Sequence, residues 1–323
     1  MFRSKRPLSP SDSGIIFALQ PTIGTDGRVP RSAQPWLMEP NFLNLFVLTP
    51  DGGFDSDEEA QAFYEQYLHP GQKPKFPKPT KPWHIAVDLA YGGWGKKSAR
   101  RRKGVAQTAL DISPDAVDAY LLLAHDAPSW EEAMDLENQA LAAAERIMGP
   151  EYSTKYEDHF WGAAITRPYM RTRFALGYAL WRQGARAEAA KHFQDLLRLN
   201  PNDNQGARYI LAAILLEENR NGEAHRVMAK HSDDPLCYGR YIRALLQFRR
   251  KGDRPAARDL LGQALRRTPL VPDYLLGKQK IDSWELERVI MGEESEAIEY
   301  VHLYKEAWNM TEGAMEWLER LTR

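Results

Sequence analysis

Residues 176–201, LGYALWRQGARAEAAKHFQDLLRLNP, decide the fold of this chain. Apolar side chains recur at helical spacing on both sides of Gly184, which is typical of two helices joined by a glycine turn. The pattern places these helices at residues 168–183 and 186–199. Gly177 lacks a side chain, so the two helices can approach closely. The stretch therefore predicts a helical hairpin.

The features of this hairpin return at a fixed interval. Three prolines are 34 residues apart: Pro201, Pro235 and Pro269. This interval is the period of tetratricopeptide repeats. Gly184 and Gly252 are separated by two such periods, whereas the unit between them, residues 204–237, is degenerate. The repeat predicts an all-α, tetratricopeptide-like helical solenoid, because each hairpin buries its apolar face against its neighbours.

The first 82 residues differ in composition from the rest. They hold 12 of the 21 prolines, which disfavours long helices there. Residues 70–82 have the composition of an extended linker with polyproline character. The sequence thus predicts a proline-rich, mostly irregular segment over residues 1–82 and a helical-repeat domain over residues 83–323.

Local signals within the first segment are weak. The apolar runs at residues 14–19 and 42–48 predict short strands or extended arms. One helix is expected after Ser56, because Glu59 completes a capping box with it. No strand is expected after residue 82.

Three tracts in order carry a resemblance to a known family. They are ALDISPDA with DAY over residues 109–120, HFWG and TRPYMR within residues 159–171, and LRLNPNDNQG over residues 197–206. Over residues 97–320 the chain resembles the suppressor-of-tumorigenicity-seven-like group of tetratricopeptide proteins, and within it the soluble bacterial branch. The resemblance implies a helical-repeat protein of undefined molecular role. Some relatives resemble membrane proteins, but this sequence lacks an apolar run of about 20 residues, so that property is not carried over.

A binding groove is predicted on the first helix of each hairpin. Repeat positions place seven arginine and aromatic side chains there: Arg171, Phe174, Tyr178, Trp181, Arg182, Arg208 and Arg249. Such a groove suits an acidic or carboxylate-bearing peptide. In the alternative interpretation the aromatic side chains pack between repeats and the arginines are solvated.

A second cluster of polar and aromatic residues precedes the central hairpin: His159, Trp161, Arg167 and Tyr169. A histidine beside carboxylates could act as an acid or a base. A structured connection between repeats or a binding site explains the same residues, and both interpretations stay open.

A basic patch contains six cations in eight residues: Lys96, Lys97, Arg100, Arg101, Arg102 and Lys103. Such a patch could contact nucleic-acid phosphates. Alternatively, it is the solvated face of a helix over residues 98–112 that buries Val105, Ala109 and Ile112.

The tract at residues 200–204 contains a candidate helix cap. The side chain of Asp203 or of Asn204 can accept amide hydrogens at the start of the following helix.

Several classes of function are disfavoured by what the sequence contains. Cys237 is the one cysteine, so an internal disulfide or a Cys₄ zinc site cannot form. The stretch at residues 92–98, GGWGKKS, fails the phosphate-loop pattern, and no two histidines are three or four residues apart. We therefore expect no enzyme, metal or cofactor. We expect a soluble, cytoplasmic protein with a protein or peptide partner, a nucleic acid being the less favoured partner and a membrane being excluded.

Overall fold

The computed structural model describes residues 18–19, 27–35, 39–50, 55–68, 72–156, 160–231, 234–283, 286 and 288–323. These residues form two compact units. The first unit contains the described residues from Gly27 to Lys230. The second contains Ala18–Leu19 and the described residues from His231 to Arg323. The predicted boundary at residue 82 falls inside the first unit.

The first unit is built from helices. In chain order they are α1 (Glu39–Leu48), α2 (Asp57–Glu65), α3 (Pro82–Trp94), α4 (Ala99–Ile112), α5 (Val117–His125), α6 (Trp130–Met148), α7 (Tyr152–Lys155), α8 (Arg167–Arg182), α9 (Arg186–Leu199), α10 (Ala207–Glu217) and α11 (Asn221–Ala229). Two short 3₁₀ helices, Arg31–Ala33 and Ala164–Thr166, accompany them.

Successive helices pair into hairpins that stack on one another. The pairs are α3 with α4, α5 with α6, α8 with α9, and α10 with α11, and each hairpin packs on the next. Small side chains make close packing possible, since Ala86, Ala90, Ala106, Ala109 and Ala119 are fully buried around Leu122. The predicted all-α solenoid of hairpins is confirmed for the described residues.

Local signals explain where the helices begin and turn. Ser129 accepts a hydrogen bond from the Glu132 amide at 3.1 Å at the start of α6. Ser56 caps α2 in the same way, as predicted. Gly184 adopts φ 82° in the turn between α8 and α9, a left-handed conformation that favours glycine. The predicted cap before α10 is Asp203, whose carboxylate accepts the amides of the first turn at 2.7 and 3.0 Å.

The expectation for residues 42–48 is wrong, because they form most of α1 rather than a strand or an extended arm. Pro40 lies in the first turn of this helix, where the missing amide hydrogen has no intrahelical acceptor to lose. The run 14–19 lies mostly outside the described residues, although Ala18–Leu19 is a strand.

The second unit combines helices with a small antiparallel strand pair. Its elements are β1 (Ala18–Leu19), α12 (Tyr238–Lys251), α13 (Pro255–Arg267), α14 (Val271–Leu275), β2 (Val289–Ile290), α15 (Glu294–Asn309) and α16 (Ala314–Leu321). β1 pairs with β2, with Ala18 opposite Ile290. β2 was not expected from the sequence.

The core of the second unit is rich in aromatic rings and encloses two buried carboxylates, Glu296 and Glu299. Tyr241 and Tyr300 pack with ring centroids 5.1 Å apart. Glu296 is fully buried and accepts hydrogen bonds from the Cys237 amide at 2.7 Å and the Thr268 hydroxyl at 2.6 Å. This carboxylate therefore ties α12, α13 and α15 together.

Among the described helices of both units, none combines the length and the apolar character needed to cross a bilayer.

Candidate functional site

Residues 27–35 and 39–48, here called the arm, lie against several helices of the first unit. The Arg28 amide donates to the His125 carbonyl at 3.0 Å, and its Nε donates to the Ala127 carbonyl at 2.6 Å. The guanidinium also stacks over the Trp130 ring at 4.8 Å. The arm thus begins on the turn between α5 and α6. A side chain on Gly27 would collide with the His125 ring, so the contact is close.

The middle of the arm is fixed to the loop before α10. The Ser32 hydroxyl donates to the Gln205 carbonyl at 2.6 Å, and the Gln205 amide group donates to the Ser32 carbonyl at 3.2 Å. Val29 and Ala33 on either side are fully buried. The arm therefore packs as tightly as a core element.

A buried charge cluster lies at the start of α1. Arg171 on α8 donates through Nη1 to Glu39 of the arm, through Nη2 to Asp118 Oδ2 on α5 at 2.6 Å, and to the Tyr91 hydroxyl on α3 at 3.2 Å. Arg171 is only 2% exposed and Asp118 is fully buried. One guanidinium therefore joins four elements of the first unit.

The charge states of the cluster follow from burial and pairing. Burial raises the pKa of Asp118, an effect that Arg171 opposes. Burial alone would lower the pKa of Arg171, but Asp118 and Glu39 hold it well above its usual value. Burial also raises the pKa of Tyr91 well above its usual value, so the hydroxyl keeps its proton. Arg171 is therefore a permanent cation.

Apolar contacts continue from the charge cluster along α1. Leu43 packs with Val87, Tyr91 and Ala164 in a buried cluster. The Phe42 ring lies under the Arg167 guanidinium at 5.3 Å. The arm thus presents a carboxylate, an aromatic ring and an aliphatic side chain within one turn and a half of helix.

Four of the seven predicted groove residues are buried rather than open to a ligand. Besides Arg171, they are Phe174, Tyr178 and Trp181. Phe174 packs edge-on against Phe193 at 5.2 Å inside its own hairpin, and the Trp181 indole donates to Glu217 Oε2 at 3.1 Å. The alternative interpretation, in which the aromatic side chains pack between repeats and the arginines are solvated, fits Trp181, which reaches the next hairpin, but not Arg171, which is buried.

The other three groove candidates are divided between the two units. Arg182 is exposed at the end of α8. Arg208 pairs with Asp203 at 2.8 Å beside the α10 cap. Arg249 belongs to the second unit and donates to the Thr311 hydroxyl and the Ala307 carbonyl, each at 2.8 Å. Arg208 and Arg249 thus have structural contacts within their own units.

The second predicted cluster is a packed connection. Arg167 stacks over the Trp161 ring at 4.9 Å and donates to the Trp161 carbonyl at 3.1 Å. Tyr169 is buried and accepts a hydrogen bond from Arg173 at 2.8 Å. His159 lies outside the described residues. Of the described residues, no group of histidine, cysteine or carboxylate side chains could hold a metal ion.

The basic patch divides into one structural arginine and five exposed cations. Arg102 is buried, forms a bidentate pair with Asp126 at 2.8 and 2.5 Å, and donates to the Lys96 carbonyl at 2.9 Å. The exposed members are Lys96, Lys97, Arg100, Arg101 and Lys103. The predicted burial of Ile112 is wrong, since it is 40% exposed while α4 turns Arg102 inward.

An open groove runs between α3 and α4, beside the exposed cations. Its volume is about 570 Å³, and it is lined by Leu89, Lys96, Arg101, Gly104, Val105 and Thr108. Leu89 and Val105 give it an apolar floor, and Lys96 and Arg101 place cations at its margin. This α3–α4 groove is accessible, in contrast to the surface under the arm.

Sequence reasoning missed the partners of Arg171 in the first unit. Glu39, Tyr91 and Asp118 were not singled out as site residues, because each meets Arg171 across at least 53 residues of chain. It also missed Glu137 on α6, which is fully buried and whose two carboxylate oxygens find no hydrogen-bond partner in the described structure. Burial raises the pKa of Glu137 to about 8.

Comparison with known proteins identifies the family. The family model described as “ST7 protein” matches residues 81–322. The chain is 26% identical over 260 residues to “Protein ST7 homolog” of Drosophila melanogaster, and 28% identical over 257 residues to “Suppressor of tumorigenicity 7 protein-like” of Mus musculus. The chain therefore belongs to the ST7 protein family, as the sequence tracts indicated.

These alignments cover part of each protein. They include 71% and 70% of this chain but 47% and 44% of the fly and mouse proteins, respectively. The chain thus matches less than half the length of these relatives.

Proposed function

We propose that this member of the ST7 family is a protein- or peptide-binding scaffold made of tetratricopeptide-like hairpins. The recurring 34-residue interval in the sequence and the stacked helical pairs support the repeat assignment. Stacked hairpins present long surfaces that suit extended partners. We assign binding rather than catalysis, because the polar side chains of the buried cluster are held in contacts with one another.

The observation that carries the proposal is the α3–α4 groove with its exposed cations. Lys96 and Arg101 at its margin have no acidic partner among the described residues. The interval from residue 72 to 103 contains ten basic residues and one acidic residue, Asp88. An anionic partner would complement this surface.

The form of the groove indicates the chemistry of the partner. Leu89 and Val105 offer an apolar floor, and Ile85 adds an exposed apolar side chain on α3 at 37% exposure. An acidic amphipathic helix can place aliphatic side chains on this floor and carboxylates against Lys96 and Arg101. We therefore propose a partner segment of this type.

The test is binding of a fluorescent acidic amphipathic peptide, followed by anisotropy. The double charge reversal Lys96→Glu with Arg101→Glu should weaken binding by about tenfold or more, since each lost charge contact is replaced by repulsion. The matched control is Lys191→Glu, an exposed lysine on α9. Equal affinity of the double variant and the control would refute the assignment of this groove.

Nucleic acid is a second candidate because of the density of exposed cations between residues 72 and 103. Phosphate binding would give affinity that falls steeply with salt, with a slope set by the number of contacts. Titration of single-stranded RNA and duplex DNA at several salt concentrations measures that slope. Binding of RNA or DNA in preference to the acidic peptide would favour this candidate.

We further propose that the chain belongs to the soluble branch of the family that includes bacterial members, and that it acts in the cytoplasm. Cys237 is a buried free thiol, which suits a reducing compartment. Fractionation of cells that express the tagged chain tests this location, and recovery in the membrane fraction would contradict it.

A further inference from the structure

We infer that the surface under the arm is a second binding site, one that takes a carboxylate-bearing helical segment of a protein partner, and that the arm is its built-in competitor. Here this surface, formed by α3, α5, α8 and the loop before α10, is called the arm site. It is distinct from the α3–α4 groove, so the inference does not depend on the proposed function.

The first argument is the hydrogen bonding of Arg171 in the arm site. With the arm in place, the Arg171 guanidinium contacts two carboxylates, those of Glu39 and Asp118. If the arm left, Asp118 would stay in contact, and the Nη1 donor that now meets Glu39 would lose its acceptor. A charge-assisted hydrogen bond to a carboxylate is about twice as strong as one to a neutral acceptor. A segment that replaces the arm therefore restores this contact only if it carries a carboxylate.

The second argument is that the arm site remains oriented without Glu39. The Arg171 guanidinium is also held by Asp118 at 2.6 Å and by the Tyr91 hydroxyl at 3.2 Å. These contacts come from α5 and α3, not from the arm. A cation already positioned by other groups loses less entropy when a new carboxylate binds.

The third argument is the tether between the arm and the helical stack. Between Thr49 and Lys81, none of the residues whose burial the structure describes is buried, and these include residues 58–65 of α2. Departure of the arm therefore exposes no core residue among them. A tether of about 30 residues also keeps the arm at a millimolar effective concentration.

The contacts of the arm define the class of ligand. Glu39 meets Arg171, Phe42 lies against Arg167, and Leu43 fills the space lined by Val87, Tyr91 and Ala164. A competing segment needs an acidic residue followed at the third and fourth positions by an aromatic and an aliphatic residue. This spacing places all three on one face at the start of a helix.

The experiment uses the full chain and a labelled peptide with the sequence of residues 27–50. In the unmodified chain the arm competes with the peptide, so the apparent affinity is reduced by the fraction of molecules whose site is open. The variants Glu39→Gln and Leu43→Ala weaken the internal arm. Each should bind the labelled peptide about tenfold more tightly than the unmodified chain.

Matched controls separate this effect from general destabilisation. Glu59→Gln alters an exposed acid on α2 and should bind the peptide no better than the unmodified chain. A peptide that carries Glu39→Gln should bind about tenfold more weakly than the native peptide. The charge reversal of Lys96 and Arg101 should leave peptide binding unchanged, so failure here and failure of the proposed function are distinguishable.

The inference is overturned if both folded variants bind the peptide no better than the unmodified chain. If the variants lose their helical circular dichroism, hydrogen exchange of the unmodified chain decides instead. Amides of the arm, such as those of Arg28 and Ala33, should then exchange faster than those of α8, because the arm opens separately. Exchange of both sets at the same rate would identify the arm as a permanent part of the core.

Discussion

Glu137 offers a direct test of the packing inside the first unit. It lies on α6, is fully buried, and its carboxylate oxygens have no hydrogen-bond partner in the described structure. Burial raises its pKa from 4.5 to about 8. The folded chain therefore holds a proton on Glu137 over a pH range in which the unfolded chain has released it.

The sign and size of the effect follow from this difference. Between pH 4.5 and about 8 the folded state binds more protons than the unfolded state, so the free energy of unfolding falls as pH rises and levels off above about 8. At about 1.36 kcal/mol per pH unit, the total loss has a ceiling of about 5 kcal/mol. Glu137→Gln removes the ionisable group and therefore its contribution to the dependence of the free energy of unfolding on pH.

Urea unfolding of the unmodified chain and of Glu137→Gln at several pH values is the assay. We expect similar stability near pH 4 and a growing advantage of the variant up to about pH 8. Glu145→Gln, at an exposed position on the same helix, is the control and should follow the unmodified chain. A difference between Glu137→Gln and the unmodified chain that does not change with pH would refute the reasoning.

Three further predictions concern other buried contacts. Arg102→Ala should lower the free energy of unfolding by about 3 kcal/mol, because it leaves the partly buried Asp126 carboxylate without its cation. Arg101→Ala, at the neighbouring exposed position, should change it by less than about 0.5 kcal/mol, and urea titration measures both variants. Cys237 should resist iodoacetamide in the folded chain and react after unfolding, because burial and the Glu296 carboxylate raise the pKa of its thiol well above the usual value. Mass spectrometry detects the adduct, and rapid labelling of the folded protein would contradict this prediction. Gly177→Ala should lower the free energy of unfolding by about 1–3 kcal/mol, since the added Cβ would lie 3.0 Å from the His192 Cβ. Thermal unfolding measures the effect, and an unchanged midpoint would show that α9 shifts at little cost.

The hairpins were predictable because their signals are local. Gly184 in a turn, Ser129 at a helix start and Asp203 before α10 act through neighbouring residues in the sequence. Each of these signals favours the same turn or helix start regardless of how the rest of the chain folds. A sequence pattern can therefore identify them without knowledge of the tertiary structure.

The charge cluster was not predictable because its partners are distant in sequence. Arg171 was identified as a residue suited to a carboxylate, but its carboxylates come from Glu39 and Asp118, which are 132 and 53 residues away. No periodicity links these positions. Arg171 thus meets carboxylates of its own chain in a buried cluster, rather than lying on an exposed surface as predicted.

The orientation of α4 shows a second limit. Apolar periodicity favoured burial of Val105, Ala109 and Ile112. Ala109 is buried as expected, but Arg102 and Ala106 complete the buried stripe in place of the other two. Arg102 can be buried because Asp126 at the end of α5 neutralises it. A charged residue with a tertiary partner thus overrides the hydrophobic pattern, and six adjacent cations give no sign of which one has that partner.

The pairing of β1 with β2 has a consequence for synthesis on the ribosome. Residues from Gly27 to Lys230 form one unit, but Ala18–Leu19 pair with Val289–Ile290 of the other. The early strand must therefore wait for about 60 further residues after the first unit is complete, or about 3–12 s at ordinary rates of translation. Assembly is thus nested, because β1 is synthesised before the first unit but can pair only after that unit is complete. A truncation that removes Ala18–Leu19 would therefore disturb the unit that is completed last.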